Sequence, residues 1–114
     1  MQKKDAELLE TLYKTMDAKF AEDLVILGLE GITTIADYFI ISTATSNSHM
    51  MALSESIQEV LKKNDYPLSH TEGLGTGRWV LLDYGSIIIH IFDKESREYY
   101  NLERIWRDGQ VISF

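Results

Sequence analysis

Three kinds of side chain in this 114-residue sequence carry groups that could react or hold a metal: the carboxylates Asp23, Asp37 and Asp83, the histidines His49, His70 and His90, and the hydroxyls Ser42, Ser46 and Ser48. Metal-dependent phosphoryl transfer would need two carboxylates at alternate positions on one strand face, beside a Gly-Ser helix start that holds a triphosphate. No segment that reads as a strand contains Asp-x-Asp or Asp-x-Glu. Asp37 and Asp83 stand at a strand start and a turn, where carboxylates satisfy backbone donors. None of the histidines has the spaced His or Glu partner of a helical metal site. His90, between Ile89 and Ile91, reads as a core histidine. The serines suit helix caps better than nucleophiles, because no oxyanion-hole signature accompanies them. Gly73, Gly75 and Gly77 invite a phosphate loop, yet no Lys-Ser or Lys-Thr pair follows and the next segment reads as a strand, not a helix. The residue types therefore assign no catalytic, cofactor-binding or metal-ligating position.

Binding chemistry is better represented. Trp79 opens a strand directly after the glycine-rich connection and shares a face with Leu81 and Asp83. Trp, Tyr and Arg lead among interface hot spots. Tyr84 at the following turn, with Arg97 and Tyr100 beyond it, makes a surface of aromatic and Arg character with Trp79. The competing reading is that all four pack the terminal helix onto the sheet.

Periodicity supplies the elements that would position these residues. Leu8, Leu9, Leu12, Met16 and Phe20 recur at three- and four-residue steps, predicting an amphipathic helix over Asp5 to Phe20. Asp23 to Leu29 is a short apolar run, expected of a strand covered on both faces. A second strand over Tyr38 to Thr43 runs into Ala44-Thr45-Ser46-Asn47-Ser48, which offers several N-caps. The helix that follows buries Met50, Leu53, Ile57, Val60 and Leu61 and stops at Asn64-Asp65-Tyr66-Pro67. Leu68 to Glu72 predicts a short strand. Trp79 to Asp83 and Ser86 to Phe92 predict a hairpin, their separation being too short for a parallel crossover. The second arm is apolar on both faces and so belongs in the middle of its sheet. A short amphipathic helix from Arg97 to Trp106 closes the pattern, leaving a tail over 107–114.

Composition sets the outer limits. A chain of this length buries about two-thirds of its unfolded surface, enough for one domain over 1–114 without staples. Cysteine is absent, so neither disulfides nor thiolate zinc sites contribute. The start, Met1 to Glu7, lacks an apolar stretch of signal-peptide length, and Val80 to Phe92 is too short and too interrupted to span a membrane. The expected location is the cytoplasm, with no membrane contact. A formal charge of −7 disfavours nucleic acid as the main contact and suits a basic protein partner.

Arg78-Trp79-Val80-Leu81-Leu82-Asp83-Tyr84-Gly85-Ser86-Ile87-Ile88-Ile89-His90-Ile91-Phe92, the run Arg97 to Trp106, the segment Asp37 to Ser46 and Glu72-Gly73 together resemble the ribosomal silencing factors, or Iojap-like family, in order and spacing from about residue 5 to about residue 106. The tail over 107–114 lies outside that match. The resemblance implies a mixed α/β domain of order α-β-β-α-β-β-β-α, with a five-stranded sheet flanked by helices and a nucleotidyltransferase-like topology without the catalytic motif.

It further implies a protein without catalysis or cofactor that binds the large-subunit ribosomal protein numbered fourteen on the face that meets the small subunit. Such binding keeps the subunits apart and damps translation in stationary phase or starvation. The family's contact Trp matches Trp79. Leu81, Tyr84, Arg97, Tyr100, Leu102 and Glu103 are candidates by position, with Tyr99 or Tyr100 facing the partner. Two alternatives stay open: a large-subunit assembly factor, and a nucleotidyltransferase-like or metal-dependent enzyme. An exposed strand edge leaves room for a homodimer.

Overall fold

A computed structural model describes residues 3–114. Helix α1 covers Lys3–Ala18 and buries Leu8, Leu9, Leu12 and Met16, the stripe that periodicity predicts. It stops before Phe20, which takes a left-handed conformation (φ 66°) and is 81% exposed. Phe20 thus leaves the buried stripe to which its spacing assigns it. The Ala21 N–H reaches back to the Met16 carbonyl at 3.0 Å and closes the helix end.

Strand β1 (Glu22–Gly28) pairs antiparallel with β2 (Tyr38–Thr43). Helix α2 (Asn47–Lys63) is capped by Ser46, whose hydroxyl accepts from the His49 N–H at 3.0 Å. The His49 ring ties the two helices: Nδ1 accepts from the Thr45 N–H at 2.9 Å, so Nε2 carries the proton and donates to the Lys19 carbonyl at 2.7 Å. Three strands follow: β3 (His70–Glu72), β4 (Trp79–Asp83) and β5 (Ile87–Phe92). Asp83 closes the β4–β5 turn by accepting from the Gly85 N–H at 2.8 Å, a carboxylate in a turn role.

The mixed α/β expectation holds, with corrections at the C-terminal end. In place of one terminal helix there are two short ones, α3 (Lys94–Tyr100) and α4 (Leu102–Ile105). Asn101 separates them in a left-handed conformation (φ 44°), which Asn tolerates better than most residues. The sheet has six strands, because the tail supplies β6 (Gln110–Ile112), antiparallel to β1. Its order is β3-β4-β5-β2-β1-β6. Only β2 and β5 run parallel, and α2 carries the chain across between them. Both central strands are buried along their whole length, as an apolar run on both faces requires.

Each face of the sheet has its own apolar layer. Helices α1 and α2 cover the first, where Leu9, Leu12, Leu53 and Ile57 meet Ile40, Val80, Ile89 and Ile91. On the second, Leu102 and the connection containing Leu29 and Ala36 cover Phe39, Ile41, Ile88 and Phe92. Trp79, Leu81 and Trp106 border this second layer and remain partly exposed.

Candidate partner-binding site

The uncovered margin of the second face forms a groove of about 780 Å³. Trp79 and Leu81 from β4 make its floor, Glu72, Gly73 and Thr76 line one side, and Glu95, Ser96, Tyr99 and Tyr100 of α3 line the other. The local sequence explains each wall. Gly73 (φ 79°) lies so close to β4 that a Cβ there would overlap the Trp79 carbonyl oxygen, so only glycine lets the connection turn back over the strand. Asp93 starts α3 by accepting from the Ser96 N–H at 2.8 Å. Asn101 ends α3 immediately after Tyr100, whose ring then lies over Trp79 at 4.6 Å between centroids. Tyr99 meets the Tyr100 ring edge-on at 5.0 Å and points outward, 81% exposed.

Trp79 is held from three directions. Phe92 packs against it at 4.8 Å, Tyr100 lies on it, and its indole Nε1–H donates to His90 Nδ1 at 3.1 Å. That bond fixes the histidine's tautomer: Nδ1 is bare, so the proton sits on Nε2, which is buried and has no hydrogen-bond partner among the described residues. Burial holds the His90 pKa at about 4, below its ordinary 6.5, so the ring is neutral near neutral pH. Glu72, Asp93 and Glu95 stand around the groove against the single cation Arg78.

The residues singled out from sequence divide into three groups. Trp79, Leu81 and Tyr100 come together in the groove. Arg97, Leu102 and Glu103 are not among its lining residues and instead fasten α3 and α4 to the sheet. The Arg97 side chain is only 10% exposed, and its Nε pairs with Glu103 at 3.2 Å. Its remaining nitrogens donate to Thr43 Oγ1 at 3.0 Å and the Asp23 carbonyl at 2.7 Å, which clamps α3 and α4 to the ends of β1 and β2. Leu102 is buried in the second layer. Tyr84 is placed elsewhere: it is buried on the first face and borders a separate hollow of about 500 Å³ with Tyr66, Pro67 and Leu68. Alternation along β4 explains this, because Tyr84 is five positions on from Trp79 and an odd step reverses the face.

Sequence reading weighs Gly73 as part of a phosphate loop and not as a groove wall, leaves open which of Tyr99 and Tyr100 faces outward, and misses the pairing of His90 with Trp79. The last was within reach. A hairpin that sets Trp79 opposite Phe92 places His90 on the adjacent diagonal of the same face.

A family model described as ribosomal silencing factor during starvation matches residues 2–114, and so takes in the tail that the resemblance left outside. The chain is 36% identical over 106 residues to a ribosomal silencing factor of Halalkalibacterium halodurans, covering 93% of this chain and 91% of that one. It is 30% identical over 105 residues to the mouse protein named mitochondrial assembly of ribosomal large subunit protein 1, covering 90% of this chain and 45% of that longer one. A crystal structure from Chromobacterium violaceum superposes with a TM-score of 0.84 at 29% identity, over 96% of this chain and 90% of that one.

Proposed function

The chain belongs to the ribosomal silencing factor family, and from that premise we propose that it binds the large-subunit ribosomal protein numbered fourteen through the Trp79 groove and thereby blocks joining of the small subunit. The observation that carries this reading is the groove itself. A partly exposed indole lies held by two aromatic rings and a hydrogen bond, at a margin of the second face that α3 and α4 leave uncovered. A rigid aromatic at the centre of a concave patch is what an interface anchor requires, because little side-chain entropy is then lost on binding. The carboxylates around it and the charge of −7 complement a basic ribosomal protein.

No reaction need follow. A factor seated on the intersubunit face excludes the small subunit for as long as it stays bound, so potency follows residence time. An interface of about 800 Å² per partner is the usual size for a specific complex, and the groove with the outer side of α3 can supply it. A homodimer through a sheet edge is less well provided for, since β3 and β6 are three residues long each. Among the described residues, no helix is long and apolar enough to cross a membrane.

The deciding experiment adds the protein to purified subunits and follows their joining by light scattering, with sedimentation to locate the bound protein. We expect it on free large subunits, with joining slowed in proportion to occupancy. Equal recovery from small-subunit, large-subunit and joined-ribosome fractions would refute the reading. A second role, in large-subunit assembly, is favoured by the name of the mouse relative. It differs in timing and would place the protein on immature large-subunit particles.

A further inference from the structure

We infer that His90 is a positioning residue for Trp79: its Nδ1 takes the indole Nε1–H and so selects the one orientation of the ring that the partner meets. The binding half of this inference rests on the groove reading above. Phe92 and Tyr100 pack on the indole at 4.8 and 4.6 Å, tilted to it by 33° and 46°, and lie 6.2 Å from each other, so they confine the ring from adjacent directions. Such tilted packing alone discriminates poorly between that ring and the same ring turned over, because both present an aromatic surface to the neighbours. The hydrogen bond distinguishes them, since only one orientation brings Nε1 within 3.1 Å of His90.

The histidine is itself immobilised. Phe39 meets it edge-on at 4.7 Å, Phe92 lies parallel to it at 6.1 Å, and it is 4% exposed. Accepting from Trp79 forces its proton onto Nε2, where no acceptor waits among the described residues. An unmet buried donor destabilises a fold, and an apolar ring of similar size would fill the site without that penalty. Core packing therefore does not account for a histidine here. An anchor ordered before binding does, because that ordering need not be repeated when the partner arrives.

The test compares His90→Phe, which keeps the volume and loses the acceptor, with His90→Asn, whose amide oxygen occupies much the same place as Nδ1. Trp79→Ala serves as the reference and identifies which of the two indole N–H signals belongs to Trp79. In His90→Phe the fold should persist, the Trp79 indole N–H should shift and exchange at least tenfold faster, and affinity for free large subunits should fall by roughly tenfold. His90→Asn should recover most of the signal position and affinity. An unchanged indole signal and affinity in His90→Phe would overturn the inference, as would equal losses in both variants that track falling stability. If Trp79→Ala binds like wild type, the groove reading fails instead, and the indole signal alone still decides whether His90 holds the ring.

Discussion

The face of the sheet beneath α1 and α2 and the face beneath α3 and α4 are built from the same strands, yet they bury different chemistry. The first, Tyr38 and Tyr84 apart, is mostly aliphatic and well covered: two helices of 16 and 17 residues lie over it, and Ile40, Leu53, Ile57, Val80, Ile89 and Ile91 have no exposure. The second sets Phe39, His90 and Phe92 among aliphatic residues and is only partly covered. Its cover is two helices of 7 and 4 residues, pinned by Arg97, and its border carries a hydrogen-bonded pair, buried His90 and partly exposed Trp79. The comparison separates the two tasks of a small binding domain. Apolar burial on one side contributes to stability, which leaves the other free to keep a buried unmet donor beneath a partly exposed indole that a partner can meet.

The largest expected effect would break the first face. Ile89→Ala removes a fully buried side chain between the sheet and the helices and should cost about 4 kcal/mol, measured by urea unfolding. Large-subunit affinity of the folded fraction should stay at the wild-type value. A direct loss of affinity without unfolding would show that the faces do not divide the work.

The second face should reveal itself in pH dependence. His90 binds its proton less readily in the folded chain than in the unfolded one, its pKa falling to about 4 from an ordinary 6.5. Its contribution is therefore complete above pH 6.5, is lost as pH falls toward 4, and changes no further below that. The loss should be about 3 kcal/mol over that window, read from urea midpoints at a series of pH values. His90→Phe should remove that part of the slope, and an unaltered slope would show that other groups carry it.

Trp79→Ala should lower affinity for free large subunits by about 2 kcal/mol, the level of an anchor that fills a partner pocket. Its stability cost should be smaller, about 1 kcal/mol, because the indole borders the core and does not fill it. The reverse ranking would make Trp79 a packing residue.

These expectations also show where the sequence was readable. Strands β2 and β5 announced themselves as apolar-rich runs, interrupted only by Ser42 and Thr43 in one and His90 in the other, and α2 was bracketed by Ser46 at one end and Asn64 to Pro67 at the other. Each depends on chemistry within a few residues. What escaped depends on distance in the chain. Nothing local to Gln110–Ile112 names β1 as its partner, although the Asp108-Gly109 pair before it marks a turn. The buried role of Arg97 depends on the Asp23 carbonyl and the Thr43 hydroxyl, which only the folded sheet brings within reach. Tyr84 was different, since parity along β4 already separated it from Trp79. In the site, the residue type and strand position of Trp79 were legible, whereas its tether to His90 had to be counted out through the hairpin register.

The smallest effect concerns the end of α1, where the closed face meets solvent. Phe20 occupies the left-handed position after the helix, which glycine adopts without steric cost and a side chain with Cβ does not. Its ring gains little in return, being 81% exposed. Phe20→Gly should therefore stabilise the fold by roughly 0.5 to 1 kcal/mol, since relief of the backbone outweighs the added freedom of glycine in the unfolded chain. Urea unfolding gives the sign, and a loss of stability would mean that the ring packs more than its exposure implies. The same variant sharpens the comparison between the faces. If contact is confined to the groove, large-subunit affinity should not change while stability rises. A drop in affinity together with a gain in stability would extend the contact surface to the helix end, and would explain why a phenylalanine stands at a position where glycine fits better.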